Sequence, residues 1–344
     1  MSAVPIASES SHAFRRKIIG LSPAVAAMAY PFLLAAFHLA VSPPGGALSP
    51  VRIAAASVLL ALAFAMPLSG LASATWQTRA PQADLRARRL AYASIAAPPL
   101  FVFVGVAPGL VGLHIPDIAI WIAIWLAAGL YAWLGGSEIA PERTPRSIAG
   151  WRVAHGVSAA LIACFVLFHL TNHLFGLVGP DTHAAIMKAG RTVYRAPFIE
   201  PVLVLLLLFQ VASGVRLAWR WSALRLDSYR VFQIGSGAYL AGFIFAHLNS
   251  ALISARAVHG IQTDWAWASG APAGLIHDAW NIRLLPHYAL GVFFVLGHLA
   301  SGLRVVLIAH GLRVAIADRA WAAGLTAAAL ISTAIICALC GLRI

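Results

Sequence analysis

Long apolar stretches dominate this sequence and limit what it can fold into. Nine of them approach or exceed the roughly 20 mostly apolar residues that a helix needs to cross the hydrocarbon core of a bilayer. We therefore predict an all-α polytopic membrane protein with nine transmembrane helices. The predicted helices cover residues 22–41, 51–73, 91–111, 116–135, 153–178, 197–219, 231–255, 284–308 and 319–340.

The composition excludes an ordinary soluble domain. Hydrophobic residues make up 61% of the chain and charged residues 10%, whereas soluble domains carry roughly 25% charged residues. The formal net charge of +13 would suggest nucleic acid as the partner of a soluble protein. In a membrane protein the same excess indicates basic cytoplasmic loops. We therefore expect a lipid bilayer and no nucleic acid among the partners.

The basic residues also predict the orientation of the chain. Seventeen of the 24 lysines and arginines fall in loops on the side of the N-terminus. Because positive loops stay in the cytoplasm, we expect a cytoplasmic N-terminus and an external C-terminus in a bacterial-type inner membrane. The cationic start resembles a signal peptide, but no cleavage site precedes a soluble domain, so we interpret it as a retained helix.

A polar stretch at residues 136–150 divides the sequence into two parts. Residues 1–150 form a predicted four-helix transmembrane region of unknown role, and residues 151–344 form a five-helix region. Ten of the 13 histidines follow the polar stretch. Histidine inside a membrane is costly unless it has a partner or ligand, so we expect the chemistry of the protein in the second part.

Histidine depth can be estimated from the helical rise of about 1.5 Å per residue. His169 and His247 each lie 17 residues from the nearest cytoplasmic arginine, which puts both about 25 Å from the inner face. His287 falls at a similar outer level.

A second level lies closer to the inner face. The sequence QVASGVR at residues 210–216 echoes HLASGLR at residues 298–304. Gln210 and His298 each precede an arginine by six residues, so both lie about 9 Å deep, while His155 lies only about 4 Å deep. The small residues that follow let helices, or a flat macrocycle, approach closely.

Two imidazoles at one depth on different helices are what a b-type haem requires, since neutral imidazole is a good axial ligand of haem iron. The competing hypothesis is a cofactor-free transporter or sensor in which these histidines are packing residues or proton relays. The chain contains no dinucleotide, flavin or iron–sulfur motif, so at most it is the quinone-reactive subunit of an oxidoreductase.

Six passages of the second part match one known family: His155-Gly156, FVLFHLTNHLFGLVG (165–179), YRAPFIEPVLV (194–204), LLFQVASGVRLAW (207–219), GSGAYLAGFIFAHL (235–248) and HYALGVFFVLGHLASGLRVV (287–306). Through them, residues 151–344 resemble the five-helix cytochrome b membrane anchors of succinate dehydrogenase and fumarate reductase. The resemblance implies a haem-binding bundle that binds quinone and anchors flavoprotein and iron–sulfur subunits on the cytoplasmic side.

The resemblance assigns His169 and His247 to the haem distal to the dehydrogenase and His298 to the proximal haem. The partner position of His298 is Gln210, a departure from the family. The proximal haem is then absent, five-coordinate on His298, or ligated by His155. The depth mismatch makes His155 the least favoured ligand, so we expect one haem b, with two possible.

The remaining predicted site residues concern quinone and the inner rim. In the resembling family an acidic residue near the position of Glu200 lies beside the quinone, and we predict Glu200 and His287 as quinone-binding residues. The alternative for Glu200 is a solvated carboxylate at the membrane interface, next to Pro201. The residues that share their outer surface are His183, Arg191, Arg195, His277 and Asp278. At the inner rim we expect Arg216 and Arg304 to bind haem propionates or a docking partner.

Overall fold

The fold is that of a computed structural model, which describes residues 6–43, 46–79, 84–135 and 148–344. All regular elements in these ranges are helices, which confirms an all-α protein. The polar stretch predicted as the boundary between the two parts lies outside the described residues except for its last three positions. We call residues 6–135 and 148–344, where described, the first and second half.

The first half contains five helices: α1 (Ile6–Val41), α2 (Pro50–Arg79), α3 (Leu85–Ile95), α4 (Ala97–Leu110) and α5 (Asp117–Trp133). The second half contains four long helices, a final helix and three shorter ones in the connections. They are α6 (Ala149–Leu174), α7 (Pro180–Tyr194), α8 (Ile199–Trp221), α9 (Ser228–Leu248), α10 (Trp265–Ser269), α11 (Gly274–His277), α12 (Leu284–Ala309) and α13 (Val314–Leu339). Helix α9 continues as a π-helix, Asn249–Val258.

Seven helices in the described ranges are long and apolar enough to cross a membrane, or eight if α3 and α4 together form one span. This confirms a polytopic membrane protein but not the nine predicted spans. The predicted helix 91–111 is bent by 68° between α3 and α4. The predicted helix 116–135 is reduced to the 17 residues of α5.

Two consecutive prolines explain the bend between α3 and α4. Pro98 and Pro99 carry no N–H, so the carbonyls of Ser94 and Ile95 cannot receive the helical hydrogen bonds that would continue α3. The residue before a proline also avoids the helical conformation. Helix α4 therefore restarts with prolines in its first turn, where the missing donors cost little.

The two halves share a buried core and polar ties. The Arg88 side chain is fully buried and donates to the carbonyl of Leu224 and to the Thr78 hydroxyl. Arg283 of the second half forms an ion pair with Asp117 of the first, 2.8 Å apart. These contacts join the first half to the α8–α9 connection and to the residue before α12, and they supply the partners without which a buried guanidinium is expensive.

Candidate functional site

A cavity of about 960 Å³ runs along the inside of the second half. We call it the bundle cavity. It is at the upper end of the roughly 300–1,000 Å³ range of small-molecule sites. Helices α6, α8, α9 and α12 supply most of its wall, with smaller contributions from α7 and α13. We call the end that carries Arg152 and Arg230 the inner end and the opposite end, which carries Glu200, the outer end.

His155 of α6 and His298 of α12 form an imidazole pair towards the inner end. Their ring centroids lie 6.3 Å apart, with the ring planes at 81°. The Nδ1 atom of His155 lies 2.8 Å from the Ser213 hydroxyl, and that of His298 lies 2.9 Å from the Ser236 hydroxyl. Both rings are thus held by a serine from a neighbouring helix.

The two serines determine which imidazole nitrogen stays free. The Ser213 hydroxyl donates to the carbonyl of Phe209, and the Ser236 hydroxyl donates to that of Gln233. A serine that keeps this bond can only accept from its histidine, as Nδ1–H to Oγ, which leaves the lone pair on Nε2. Histidines that ligate a metal are held in this way by a hydrogen bond to the other ring nitrogen.

The depth argument against His155 was wrong. Helical rise placed this residue about 5 Å closer to the inner face than His298, yet the structure brings their rings together. The estimate took Arg152 as a marker of the membrane surface. Arg152 instead lines the bundle cavity, so it does not mark the membrane surface, and the difference of about 5 Å between His155 and His298 does not hold.

Gln210 does not occupy a ligand position opposite His298. Its Nε2 atom donates to the backbone carbonyl of His155 at 2.9 Å and to the Ser158 hydroxyl at 2.6 Å. The amide therefore ties α8 to α6. The imidazole that lies beside His298 is that of His155 on α6.

Glycines allow the inner pair to come close to the neighbouring helices. A Cβ atom on Gly237 would lie 3.2 Å from Cε1 of His298, and one on Gly214 would lie 3.4 Å from Cε1 of His155. The first distance is tighter than an ordinary carbon contact. The small-residue segments that the sequence indicated thus pack against imidazoles.

His169 of α6 and His247 of α9 form a second pair towards the outer end, as predicted from their depth. Their centroids lie 6.2 Å apart with the planes at 70°. Phe165 stacks on His169 and Phe243 stacks on His247, at interplanar angles of 22° and 9°. Each phenylalanine precedes its histidine by four residues, so one helical turn sets each ring plane.

Two further histidines continue the outer pair. The ring of His173 lies 4.7 Å from that of His169 and 5.3 Å from that of His183 on α7. The Asn172 amide donates to Nε2 of His183 at 3.2 Å. Burial lowers the pKa of His183 to about 4; nearby Arg191 adds to this effect and Asp264 opposes it. His183 is therefore neutral at physiological pH.

The outer end of the bundle cavity has a polar rim. Glu200 of α8 accepts two hydrogen bonds from Arg256 of the π-helix. Arg191 donates to the Thr263 carbonyl at 2.8 Å, and Arg195 donates to the Thr263 hydroxyl at 2.8 Å. All five residues line the cavity, so Glu200, Arg191 and Arg195 share one surface, as expected.

Three other predicted outer residues lie elsewhere. His277 and Asp278 are not part of the cavity wall. Asp278 instead accepts hydrogen bonds from the backbone N–H groups of Trp280 and Asn281. His287 is buried behind Phe243 and lines a second, smaller cavity. The structure therefore separates His287 from Glu200.

The arginines predicted for the inner rim, Arg216 and Arg304, also lie away from the bundle cavity. Arg304 forms an ion pair with Asp318 at 2.7 Å, and Arg216 stacks over Trp151 at 4.7 Å. Neither lines the bundle cavity. Two other arginines do, Arg152 and Arg230, and both guanidinium groups lie over the Trp221 ring, at 5.9 Å and 4.8 Å.

Arg152 and Arg230 were not predicted as site residues, because the sequence alone treats every inner arginine as a charge of a cytoplasmic loop. The available signal was helical spacing, since Arg152 precedes His155 by one turn and therefore shares its face. Ser213 and Ser236 were likewise treated as packing residues only. Their position beside the predicted ligands was visible, but which imidazole each one contacts depends on the tertiary structure.

No group of three or more His, Cys, Asp or Glu side chains in the described part of the chain could hold a metal ion. Comparison of the chain with known protein families, curated proteins and solved structures found no match.

Proposed function

We propose that this chain is a membrane electron-transfer subunit that binds two b-type haems and a quinone. The observation that carries the proposal is the presence of two imidazole pairs in one apolar cavity. The ring centroids lie 6.2 Å apart in the outer pair and 6.3 Å apart in the inner pair. Four helices of the second half, α6, α8, α9 and α12, form the cytochrome b-like bundle around them.

The spacing of each pair suits two axial ligands on one iron. A metal–imidazole bond is about 2 Å long, and the rest of a separation of about 6 Å is taken up by the two rings themselves. The ring planes meet at 70° in the outer pair and 81° in the inner pair, and a haem does not require its two imidazoles to be coplanar. His155 and His298 would hold one haem, and His169 and His247 the other.

Haem iron, when bound, supplies one-electron redox chemistry. The residues of this chain set where that chemistry takes place. Ser213 and Ser236 orient the inner imidazoles, while Phe165 and Phe243 orient the outer ones. Apolar residues such as Ala159, Ile162 and Val166 line the same cavity and would solvate the macrocycles.

The outer rim supports the quinone assignment. A quinone carbonyl accepts hydrogen bonds, and Arg195 at this rim offers more N–H donors than its bond to Thr263 uses. Glu200 lies at the same rim, and its two hydrogen bonds from Arg256 favour the ionised carboxylate, which can accept a proton released during quinone chemistry. Both groups adjoin the outer imidazole pair through the bundle cavity.

The partner subunits and the membrane of this protein are proposed on the same grounds. We propose flavoprotein and iron–sulfur dehydrogenase subunits at the inner end and a bacterial-type inner membrane with a cytoplasmic N-terminus. In this arrangement the bent α3–α4 pair and α5 complete nine passages through the bilayer, and the C-terminus is external.

A visible spectrum of the purified protein with the His169→Ala and His247→Ala variants tests the outer site. We expect each variant to lose the same low-spin haem signal, because either change removes one of two axial ligands. His277→Ala is the control, since His277 does not line the cavity. A full wild-type spectrum in both variants would refute the outer site.

A second candidate is a cofactor-free transporter or sensor that moves protons through histidines. The observation in its favour is the contiguous row of His169, His173 and His183, with ring centroids 4.7 Å and 5.3 Å apart. A colourless protein after purification with supplied haem would favour this function over electron transfer.

A further inference from the structure

A second cavity of about 260 Å³ lies at the seam between the two halves, at the outer end. We call it the seam chamber. Its wall comes from α4, the π-helix, the start of α12 and the connection between them. The residues that line it include Val102, Val106, Ser250, Trp267, Trp280 and His287.

The seam chamber exists only because the first half is present. Val102 and Val106 of α4 form one side of it, and the opposite side belongs to the second half. A five-helix bundle alone would leave this face of the π-helix open to lipid. The first half therefore does more than pack against the bundle, since it completes the wall of a chamber.

Hydrogen-bonding groups beside this chamber lack protein partners. His287 is 2% exposed, and its Nδ1 atom has no hydrogen-bond partner among the described residues; the same holds for the hydroxyl of Ser250. Buried polar groups without a partner cost about 1–3 kcal/mol each, and in native proteins they are satisfied by a ligand or by ordered water.

The remaining wall offers flat aromatic surfaces. Trp267, Trp280 and Tyr288 line the chamber together with the His287 imidazole. Aromatic planes with one or two polar groups suit a planar ring that carries hydrogen-bond acceptors. The volume accommodates a single substituted ring and is below the usual range for larger ligands.

The seam chamber also adjoins the outer imidazole pair. His247, Trp267 and Tyr288 line both the chamber and the bundle cavity. A ring in the chamber would therefore contact side chains, His247 among them, that also line the cavity of the proposed outer haem. No residue of the Glu200 rim belongs to the chamber wall.

We propose that the seam chamber is a second quinone site, in which the ring lies between the two halves and its carbonyls accept hydrogen bonds from Ser250 and His287. The proposal rests on the proposed function for the presence of a quinone. It adds that the first half builds this site, separately from the one at Glu200.

Photolabelling of the membrane-embedded full chain with an azido-benzoquinone tests this proposal, with labelled peptides identified by mass spectrometry. We expect labelled peptides from α4 or the π-helix in the wild type. Val106→Trp should fill the chamber and reduce that labelling at least fivefold, and Ser250→Ala should reduce it through the lost donor. Val111→Trp is the matched control, because Val111 follows α4 and is 73% exposed.

Thermal unfolding of the same samples shows that each variant is folded, and the haem spectrum is recorded alongside it. Labelling of α4 or the π-helix that falls in Val106→Trp and Ser250→Ala but not in Val111→Trp supports the site, whatever the haem content. Labelling confined to peptides around Glu200, or equal labelling of α4 in all variants, would overturn it. A haem-free protein with chamber labelling would refute the proposed function alone.

Discussion

His155 and His298 face each other across the bundle cavity with ring centroids 6.3 Å apart, and each ring is anchored at Nδ1 by a serine of another helix. Helix α6 thus contributes to both imidazole pairs, through His155 and His169. The glutamine on α8, where the resembling family has a histidine, is bound to the backbone of α6.

The inner imidazole pair predicts different results for substitutions at His155 and at Gln210. His155→Ala should abolish one low-spin haem signal and leave the other, because only one axial pair loses a ligand. Gln210→Ala should keep both signals, since the amide contributes hydrogen bonds between helices and no ligand. Electron paramagnetic resonance of the oxidised protein resolves the two signals. Loss of a signal in Gln210→Ala with none lost in His155→Ala would reverse the assignment.

Arg152 and Arg230 predict the orientation of the inner haem. Neither belongs to the three ion pairs of the described residues, although both guanidinium groups lie over the ring of Trp221. Two like charges held together call for an anion, and haem propionates are carboxylates.

Replacing either arginine with glutamine should therefore lower the reduction potential of the inner haem, since a nearby positive charge favours the reduced state. The potential of the outer haem should stay unchanged. Redox titration followed in the visible spectrum measures both. Arg216→Gln is the matched control because Arg216 stacks on Trp151 outside the cavity. Equal potentials in all three variants would exclude a propionate site at these arginines.

Glu200 predicts a defect in quinone chemistry without a defect in haem binding. Glu200→Gln keeps the size of the side chain but cannot hold an extra proton. We expect normal haem content and a quinone reaction slowed by roughly 10²-fold, within the range of a positioned proton-transfer group. Stopped-flow reoxidation of the reduced protein by a soluble quinone measures the rate. Asp181→Asn, at the exposed start of α7, should react at the wild-type rate.

Gly105 of the first half packs against Arg283 of the second, so a substitution there measures how much this contact contributes to stability. A Cβ atom at this position would lie 2.2 Å from Nη1 of Arg283, which is held by Asp117 at 2.8 Å. Gly105→Ala must therefore displace a partnered guanidinium, and we expect a loss of about 1–3 kcal/mol in the free energy of unfolding.

Thermal unfolding in detergent compares Gly105→Ala with Gly109→Ala on the same helix. A Cβ atom on Gly109 would meet nothing within 4 Å, so this variant should unfold at or slightly above the wild-type temperature. Equal unfolding temperatures for the two variants would show that the Arg283 contact adds nothing to the seam.

The sequence predicted where most of the long helices lie better than it predicted where a helix is interrupted. Apolar length is a local property, so most long helices and the depth match of His169 with His247 could be read from it. The bend at Pro98 and Pro99 was visible in the sequence but outweighed there by hydropathy. Helix α7 was missed because it lies in a connection and is too polar to resemble a span.

The inner site could be predicted only in part. Helical spacing identified His298, but the partner of His298 depends on how α6 and α12 approach each other, which no local pattern encodes. Arg152 served as a surface marker in the depth estimate although it lines a cavity. His287 matched the outer depth, yet α9 separates it from the Glu200 rim, because depth alone does not specify which side of a helix a residue faces.

The number of haems per chain is the measurement that bears most directly on the two imidazole pairs. A pyridine-haemochrome assay on protein purified after expression with sufficient haem, combined with protein quantification, gives this ratio. Two pairs predict two b-type haems per wild-type chain and one in His155→Ala. A ratio of one in both proteins would contradict the inner pair, and a colourless wild-type protein would contradict the proposed electron-transfer function.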